Sequence, residues 1–336
     1  METMRGVTDL FGSRSRLGVL PKEYVEPWLI ESFWTRSGFN VLVGAPKARK
    51  STLRRYLMAC AMRGVPALGQ FKCHDTVKRA LICFGEGPKE AEGAAVHRAC
   101  DAVGVENAGD RIELVKPFGF HLDNRYALDE MIALVKDEGF DLVVIDPLLY
   151  FHGQDENDAL GMGKVCGGLI RLAEHAAVVV VHHTAKAQMG AGDRPVAHRG
   201  RGSSTLGGAA DTFIELTRTG LNTHRLEFAT RGAVEQEKLV VSYDPDTHLW
   251  ETGSDPVESH VLTYLRTHQG VSANEIVKGV GKRREKILEI LRKLSGNQQI
   301  RLVGDKYALV PEPFSPDPGG SGVVGTIGTT SSQTES

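Results

Sequence analysis

The 336-residue chain carries 40 Lys/Arg against 42 Asp/Glu, a formal net charge of −2, and 41% of its residues are hydrophobic. That composition suits one large α/β domain plus a small one and excludes chain-wide disorder, while the lack of any apolar run of transmembrane length excludes a spanning helix. The opening residues, METMRGVTDLFGSRSR, lack the apolar centre of a secretory signal, so a cytoplasmic protein with no membrane partner is expected. Five scattered cysteines (Cys60, Cys73, Cys83, Cys100, Cys166) without a C-x-x-C pair predict neither a disulfide framework nor a zinc site. The charge is uneven: Pro256 to Val310 holds ten Lys/Arg and five Asp/Glu, a net of +5, leaving −7 for the remainder. A polyanion would therefore dock on the C-terminal segment.

Residues 1–38 show no sustained periodicity, but Tyr24 to Ile30 (YVEPWLI) is an apolar patch, read as an entry arm or a subunit-contact segment. Phe39 to Ala61 then reads as strand, phosphate loop, helix. Gly44 to Ser51 (GAPKARKS) matches G-x-x-x-x-G-K-[ST] except at Arg49, where glycine is expected. In that motif backbone N–H groups wrap phosphates, the lysine neutralises them, the hydroxyl ligates Mg²⁺, and the helix N-terminus adds its dipole. Gly44, Lys50 and Ser51 take those roles, with Pro46, Lys47, Arg49 and Thr52 completing the nucleotide-binding set. Arg49 leaves two outcomes open, a crowded loop or an added phosphate contact.

Leu53, Tyr56, Leu57, Cys60 and Ala61 follow at helical spacing, and Gly64 with Pro66 ends the helix. Ala80 to Phe84 is a buried-strand pattern that stops at Gly85-Glu86-Gly87-Pro88. A carboxylate there is placed for a ligand over the strand ends of an open parallel sheet, or is a solvated turn residue. Helices are expected over Lys89 to Val103 and Asn124 to Glu138, with a strand at Arg111 to Val115 between them. Asp141 to Asp146 (DLVVID) is a second strong signal: a fully apolar strand whose final carboxylate would hold Mg²⁺ through water. A helix over Ala159 to His175 precedes Val178 to His183 (VVVVHH), whose two histidines either sense a phosphate or cap the strand. Residues 185–205 are Gly-rich and basic (Lys186, Arg194, Arg199, Arg201), the composition of a loop that follows a nucleic-acid backbone. Strands at Thr212 to Leu216, His224 to Thr230 and Lys238 to Ser242, with Arg218 and Arg231 at strand ends, complete a mixed sheet.

The set GAPKARKS, FGEG, DLVVIDPLLYF, VVHHTAK and MGAGDRPVAHRGRGSSTLGGAAD, over Tyr24 to Trp250, resembles the RecA-like P-loop ATPases of the RepA-type hexameric replicative helicases, within the AAA family, and more distantly DnaB. The resemblance implies a mainly parallel central sheet, ATP and Mg²⁺ as cofactors, and a homo-hexamer threaded by single-stranded DNA. It also implies Lys50 and Ser51 on nucleotide and magnesium, Glu86 as general base, Asp146 as the metal carboxylate, and His182 and His183 as a phosphate-sensing pair. The family supplies an arginine finger from the neighbouring subunit. The plasmid enzyme's finger aligns with Asp211 here, so Arg231 is the substitute, with Arg218 behind it.

Beyond Asp255-Pro256 the pattern changes. Helices over Val257 to Thr267, Ala273 to Val280 (capped by Ser272) and Lys282 to Leu294 precede a hairpin of Ile300 to Val303 and Tyr307 to Val310. This resembles a winged helix, a common reader of duplex DNA, with Lys282, Arg283, Arg284 and Lys286 at the entry of its third helix, where a compensating anion is expected. Protein contacts are the other use of such a module. Residues 312–336, rich in Pro, Gly, Ser and Thr, read as a disordered tail. The expected organisation is thus an arm over 1–38, an ATPase domain over 39–253, a winged-helix-like domain over 256–311, and the tail. Two functions fit: a DNA motor or helicase acting in replication of a plasmid, phage or mobile element, or an ATP-switched DNA-binding regulator or loader with little unwinding.

Overall fold

The computed structural model describes residues 22–74, 76–184, 196–198, 204–231, 238–253, 256–297 and 299–310. The chain divides into two compact units, Met1–Ser254 and Asp255–Ser336. The first unit runs β1 (Trp28–Ile30), β2 (Trp34–Thr35), β3 (Phe39–Gly44), α1 (Lys50–Arg63), β4 (Ala80–Phe84), α2 (Lys89–Val103), α3 (Ala108–Arg111) and β5 (Ile112–Val115). It continues through α4 (Arg125–Glu138), β6 (Leu142–Asp146), α5 (Ala159–Ala173), β7 (Ala177–His183), α6 (Thr205–Ala209), β8 (Thr212–Arg218), β9 (Thr223–Thr230), β10 (Leu239–Tyr243) and β11 (Trp250–Thr252).

Continuous apolar runs become central parallel strands because helices cover both faces of the sheet. Among the described residues the strand order is β11-β10-β9-β8-β3-β7-β6-β4-β5. Pairing is parallel from β8 through β3, β7, β6 and β4 to β5, and antiparallel from β8 outward through β9 and β10 to β11. The α/β class and mainly parallel sheet read from the sequence are present.

Side-chain alternation along each strand makes two core layers. Leu42, Ile82, Val144 and Val179 face one layer with Leu53, Leu57 and Met58 of α1 and Val96 and Cys100 of α2. Val41, Val43, Leu81, Val143, Val178 and Val180 face the other, with Leu128 and Val135 of α4 and Val165, Leu169 and Leu172 of α5. The apolar segment near the N-terminus packs in the α1 layer: Leu29, Ile30, Phe33 and Trp34 are buried there, and only Tyr24 and Val25 stand exposed. Short elements without a periodic signature, β1, β2, α3, α6 and β11, have no counterpart in the sequence reading.

One buried polar residue locks the start of the sheet. The Asn40 side chain on β3 accepts from Thr35 N (2.8 Å) and Thr212 Oγ1 (2.9 Å) and donates to Val178 O (3.1 Å) and Thr35 O (3.1 Å). With every polar atom engaged, this fully buried carboxamide ties β2, β7 and β8 to β3.

The second unit contains α7 (Pro256–Thr267), β12 (Val271–Ser272), α8 (Ala273–Val280), α9 (Arg284–Gly296), β13 (Ile300–Val303) and β14 (Lys306–Leu309), with sheet order β12-β14-β13. Val261, Leu265, Ile276, Ile287, Leu291, Leu294 and Ile300 form its own core. Ser272 caps α8 in a capping box with Glu275. The third helix starts at Arg284, so Lys282 lies ahead of it and Arg283 is its N-cap. Glu285 in its first turn supplies the negative charge that position favours. Among the described residues no helix is long and apolar enough to cross a membrane.

Candidate nucleotide site at the carboxyl edge of the sheet

β3 ends at Gly44, where the chain leaves the sheet into the loop before α1. Gly44 is required by packing: a Cβ there would lie 2.5 Å from Leu216 O of β8. Lys47 (φ 63°) and Arg49 (φ 65°) both adopt left-handed conformations. Left-handed residues alternating with right-handed ones turn successive N–H groups toward one concavity, the geometry of a phosphate-binding nest. The loop therefore takes an anion-cradling shape without glycine at position 49.

Arg49 takes neither of the two outcomes anticipated for it. It is half-buried, and its guanidinium lies over the ring of Tyr243 on β10, 4.6 Å from the centroid. Its backbone, as N-cap of α1, stays in the loop while its side chain packs on the antiparallel extension. Tyr243 and His224 both stack with Trp250 there, at 5.2 and 5.0 Å between ring centroids.

Lys50 folds back over the loop. Its ammonium donates to Gly44 O (2.9 Å) and Ala45 O (3.0 Å) and lies 3.2 Å from His183 Nδ1. Burial lowers the Lys50 pKa, and the carboxylates of Asp146 and Glu86 oppose that shift, so both acidic groups bear on this lysine. Ser51 and Thr52 follow at the start of α1, half-buried.

The strand registers explain the convergence. Gly44 is level with His183, and Asp146 with Phe84 on β4. Asp146 is 7% exposed. Glu86, two residues past β4, stands exposed between Gly85 and Gly87, and the Gly85 N–H donates to Asp146 O (2.9 Å). The half-exposed Tyr150 ring packs on Gly85, where a Cβ would come within 2.5 Å of it.

The two histidines part company. His183 joins Lys50, whereas His182, level with Val43, is fully buried with Nδ1 3.8 Å from Glu156 Oε1. Alternation sends neighbouring strand residues to opposite faces, so they do not act as an adjacent pair on one ligand. Glu156, which the sequence reading passed over, is the carboxylate beside His182. Its position in a loop with no motif left no signal.

The arginines at strand ends separate too. Arg218 closes β8 at the phosphate-loop edge and donates to Gly220 O (2.9 Å) and Leu221 O (2.8 Å). Arg231 follows β9 at the opposite edge, beside the start of β3. Its N–H donates to Asp211 O (2.8 Å), and its guanidinium to Gly208 O and Ala209 O, both at 3.2 Å. Six residues of β3 lie between these edges, a span of roughly 17–20 Å at strand rise, so Arg231 cannot reach the phosphate loop of its own subunit. Lys186, Arg194, Arg199 and Arg201 lie outside the described residues.

A further group, absent from the sequence reading, sits behind the loop. Arg54 on α1, 0% exposed, donates through Nη2 to Asp146 Oδ2 (2.9 Å) and to Glu92 Oε1 of α2 (2.8 Å). Arg55 also binds both oxygens of Glu92, and the two guanidiniums hold this carboxyl down at about 2 although burial opposes that.

The residues fit a magnesium nucleotide: a nest with a lysine at its mouth, a hydroxyl at the helix start and a carboxylate on a central strand. Among the described residues no cluster of three or more His, Cys, Asp or Glu could hold a metal by itself. Magnesium bound by one carboxylate, one hydroxyl and phosphate oxygens does not need one.

A family profile described as AAA domain (AAA_25) matches residues 21–189, half of the chain, from the arm through β7. The chain belongs to this family. Its sheet is the α/β core of a RecA-like P-loop ATPase. Solved structures similar to it include the ATPase domain of a replicative helicase, with 14% identity, a TM-score of 0.49, and coverage of 65% of this chain and 86% of that one. The RadB recombinase is similar at 16% identity and a TM-score of 0.46, over 66% and 93% of the two chains. A DnaB-like replicative helicase is similar at 13% identity and a TM-score of 0.48, over 66% of this chain and 58% of that one.

Proposed function

We propose that this AAA-family chain is an ATP-hydrolysing motor of helicase type, assembled as a homo-hexameric ring and acting on DNA in the replication of a plasmid, phage or mobile element. The observation that carries the reading is the division of charge between the two edges of the sheet. Lys50, Ser51, Asp146, Glu86 and His183 gather at one edge, while Arg231 stands at the other, where only a neighbouring subunit can use it. Lys50 neutralises bound phosphate charge, Ser51 and Asp146 hold Mg²⁺, and Glu86 accepts the proton of the attacking water. Bound Mg²⁺ supplies charge stabilisation at the phosphates. His183, sharing Lys50, responds to the phosphate the lysine holds, and Arg231 serves the adjacent site as its finger.

Arg49 supports turnover over the switch reading, since its side chain is diverted onto Tyr243 and leaves the loop its shape. Single-stranded DNA is assigned to the segment of Lys186, Arg194, Arg199 and Arg201. Duplex DNA is assigned to the winged-helix-like C-terminal unit, where Lys282, Arg283 and Arg284 are exposed.

The test is steady-state ATP hydrolysis with and without single-stranded DNA, together with unwinding of a forked duplex. Stimulated turnover with unwinding supports the motor; nucleotide binding without turnover establishes the switch. Arg231→Ala is expected to bind nucleotide yet not hydrolyse it, and to regain some activity when mixed with Glu86→Gln protein. A protein that remains monomeric by light scattering with nucleotide and DNA present removes the ring.

A further inference from the structure

The most deeply buried charge among the described residues is not part of the phosphate loop. Arg54 lies one turn after Lys50 on α1, on the same face. It is wholly removed from solvent, and its ion pairs run through a single nitrogen, Nη2, to Asp146 and Glu92. Its Nε and Nη1 have no hydrogen-bond partner. Glu92 is in turn shared with Arg55, whose side chain is 16% exposed. Two guanidiniums and two carboxylates thus balance only if Asp146 is counted among them.

A buried guanidinium is tolerable only while its carboxylates remain charged and close, and stripping one away leaves an uncompensated charge in a poorly screened place. Asp146 therefore already has a counter-ion. A divalent cation arriving at the same carboxylate meets a fixed positive charge at hydrogen-bond distance from it, and like charges that close repel strongly where water is excluded. Nucleotide phosphates change the balance by bringing negative charge of their own. The same contact fixes the carboxylate, because Arg54 holds Oδ2 and Gly85 N–H holds the backbone carbonyl of the same residue.

We infer that Arg54 is a positioning residue for the metal carboxylate: it holds Asp146 in one orientation and, as its resident counter-ion, makes metal binding conditional on nucleotide. Glu92 sets how firmly it does so, by drawing part of the guanidinium's interaction to α2. The inference rests on the proposed role of Asp146 as the magnesium carboxylate.

The experiment titrates Mn²⁺, a spectroscopic substitute for Mg²⁺, by electron paramagnetic resonance with and without ADP, using the full chain. Wild-type protein is expected to bind Mn²⁺ only with ADP present. Arg54→Met, which keeps the stem and removes the charge, is expected to bind Mn²⁺ without ADP at least tenfold more tightly than wild type, and Arg54→Lys to restore the dependence on ADP. Glu92→Gln, which leaves the guanidinium to Asp146 alone, is expected to weaken Mn²⁺ binding in the presence of ADP several-fold, the opposite direction. Equal ADP-free affinity in wild type and Arg54→Met overturns the inference. Should Arg54→Met fail to fold by circular dichroism, Glu92→Gln decides, and unchanged Mn²⁺·ADP affinity in that variant overturns it. Asp146→Asn separates the two levels. Retained Mn²⁺·ADP binding there removes Asp146 from the site and the inference with it, whereas loss there with no effect at Arg54 or Glu92 strikes the inference alone.

Discussion

Arg49 interrupts an otherwise regular phosphate-loop motif, and replacing it by Gly and by Ala separates its backbone role from its side-chain role. A non-glycine residue in the left-handed region costs about 1–2 kcal/mol, and Arg49 sits there at φ 65°. Its half-buried guanidinium over Tyr243 returns about 1 kcal/mol. Arg49→Gly relieves the first term and loses the second, so its stability should stay within about 1 kcal/mol of wild type. Arg49→Ala keeps the backbone cost and loses the ring contact, so it should be less stable than the Gly variant by about 1 kcal/mol, or roughly 2–4 °C in melting temperature for a unit of this size. Urea and thermal unfolding read the difference. Nucleotide affinity, measured with a fluorescent ADP, should remain within about threefold in both variants, since the guanidinium is aimed at β10. A tenfold loss in Arg49→Gly, about 1.4 kcal/mol, would refute this and return the side chain to the phosphates. Equal stability of the Gly and Ala variants would refute the backbone half.

Lys50→Ala should abolish nucleotide binding, while Glu86→Gln should bind normally and lose turnover by about 10²-fold or more; near wild-type turnover in Glu86→Gln would remove Glu86 from the reaction. His224 is fully buried, and burial, reinforced by the Arg49 cation, lowers its pKa from 6.5 to about 4. The folded state thus favours the neutral ring, so the stability this confers is complete above pH 6.5 and is lost as pH falls toward 4, at up to about 1.4 kcal/mol per pH unit. His224→Gln should flatten that part of the melting profile, and an unchanged profile would exclude His224 as its cause. Asn40→Leu strands Thr35 N, Thr212 Oγ1 and Val178 O inside the sheet and should cost roughly 3 kcal/mol in urea unfolding; a loss under 1 kcal/mol would show that those groups find other partners. In the C-terminal unit, Arg283→Ala with Arg284→Ala should weaken duplex binding and reduce its salt slope by about 0.9 per lost phosphate contact, and an unchanged slope would count against these two residues.

What the sequence determined on its own were the features whose signal is local. Continuous apolar runs marked β3, β4, β6 and β7 because strands covered on both faces have no polar side to show, and Gly64, Asn124 and Ser272 marked helix ends because unsatisfied backbone groups need caps there. The phosphate loop, Glu86 and Asp146 were legible for the same reason: each is fixed by its neighbours along the chain. The tertiary structure decided everything that depends on direction or on distance across the fold. Strand alternation sent His183 to Lys50 and His182 to Glu156, though the two are adjacent in sequence. Strand order put Arg218 at the phosphate-loop edge and Arg231 at the far one. The turn of α1 aimed Arg49 at Tyr243, almost two hundred positions further along the chain, and brought Arg54 between Glu92 and Asp146. Side-chain charge of that kind is compensated through space, and periodicity along the chain carries no record of the partner.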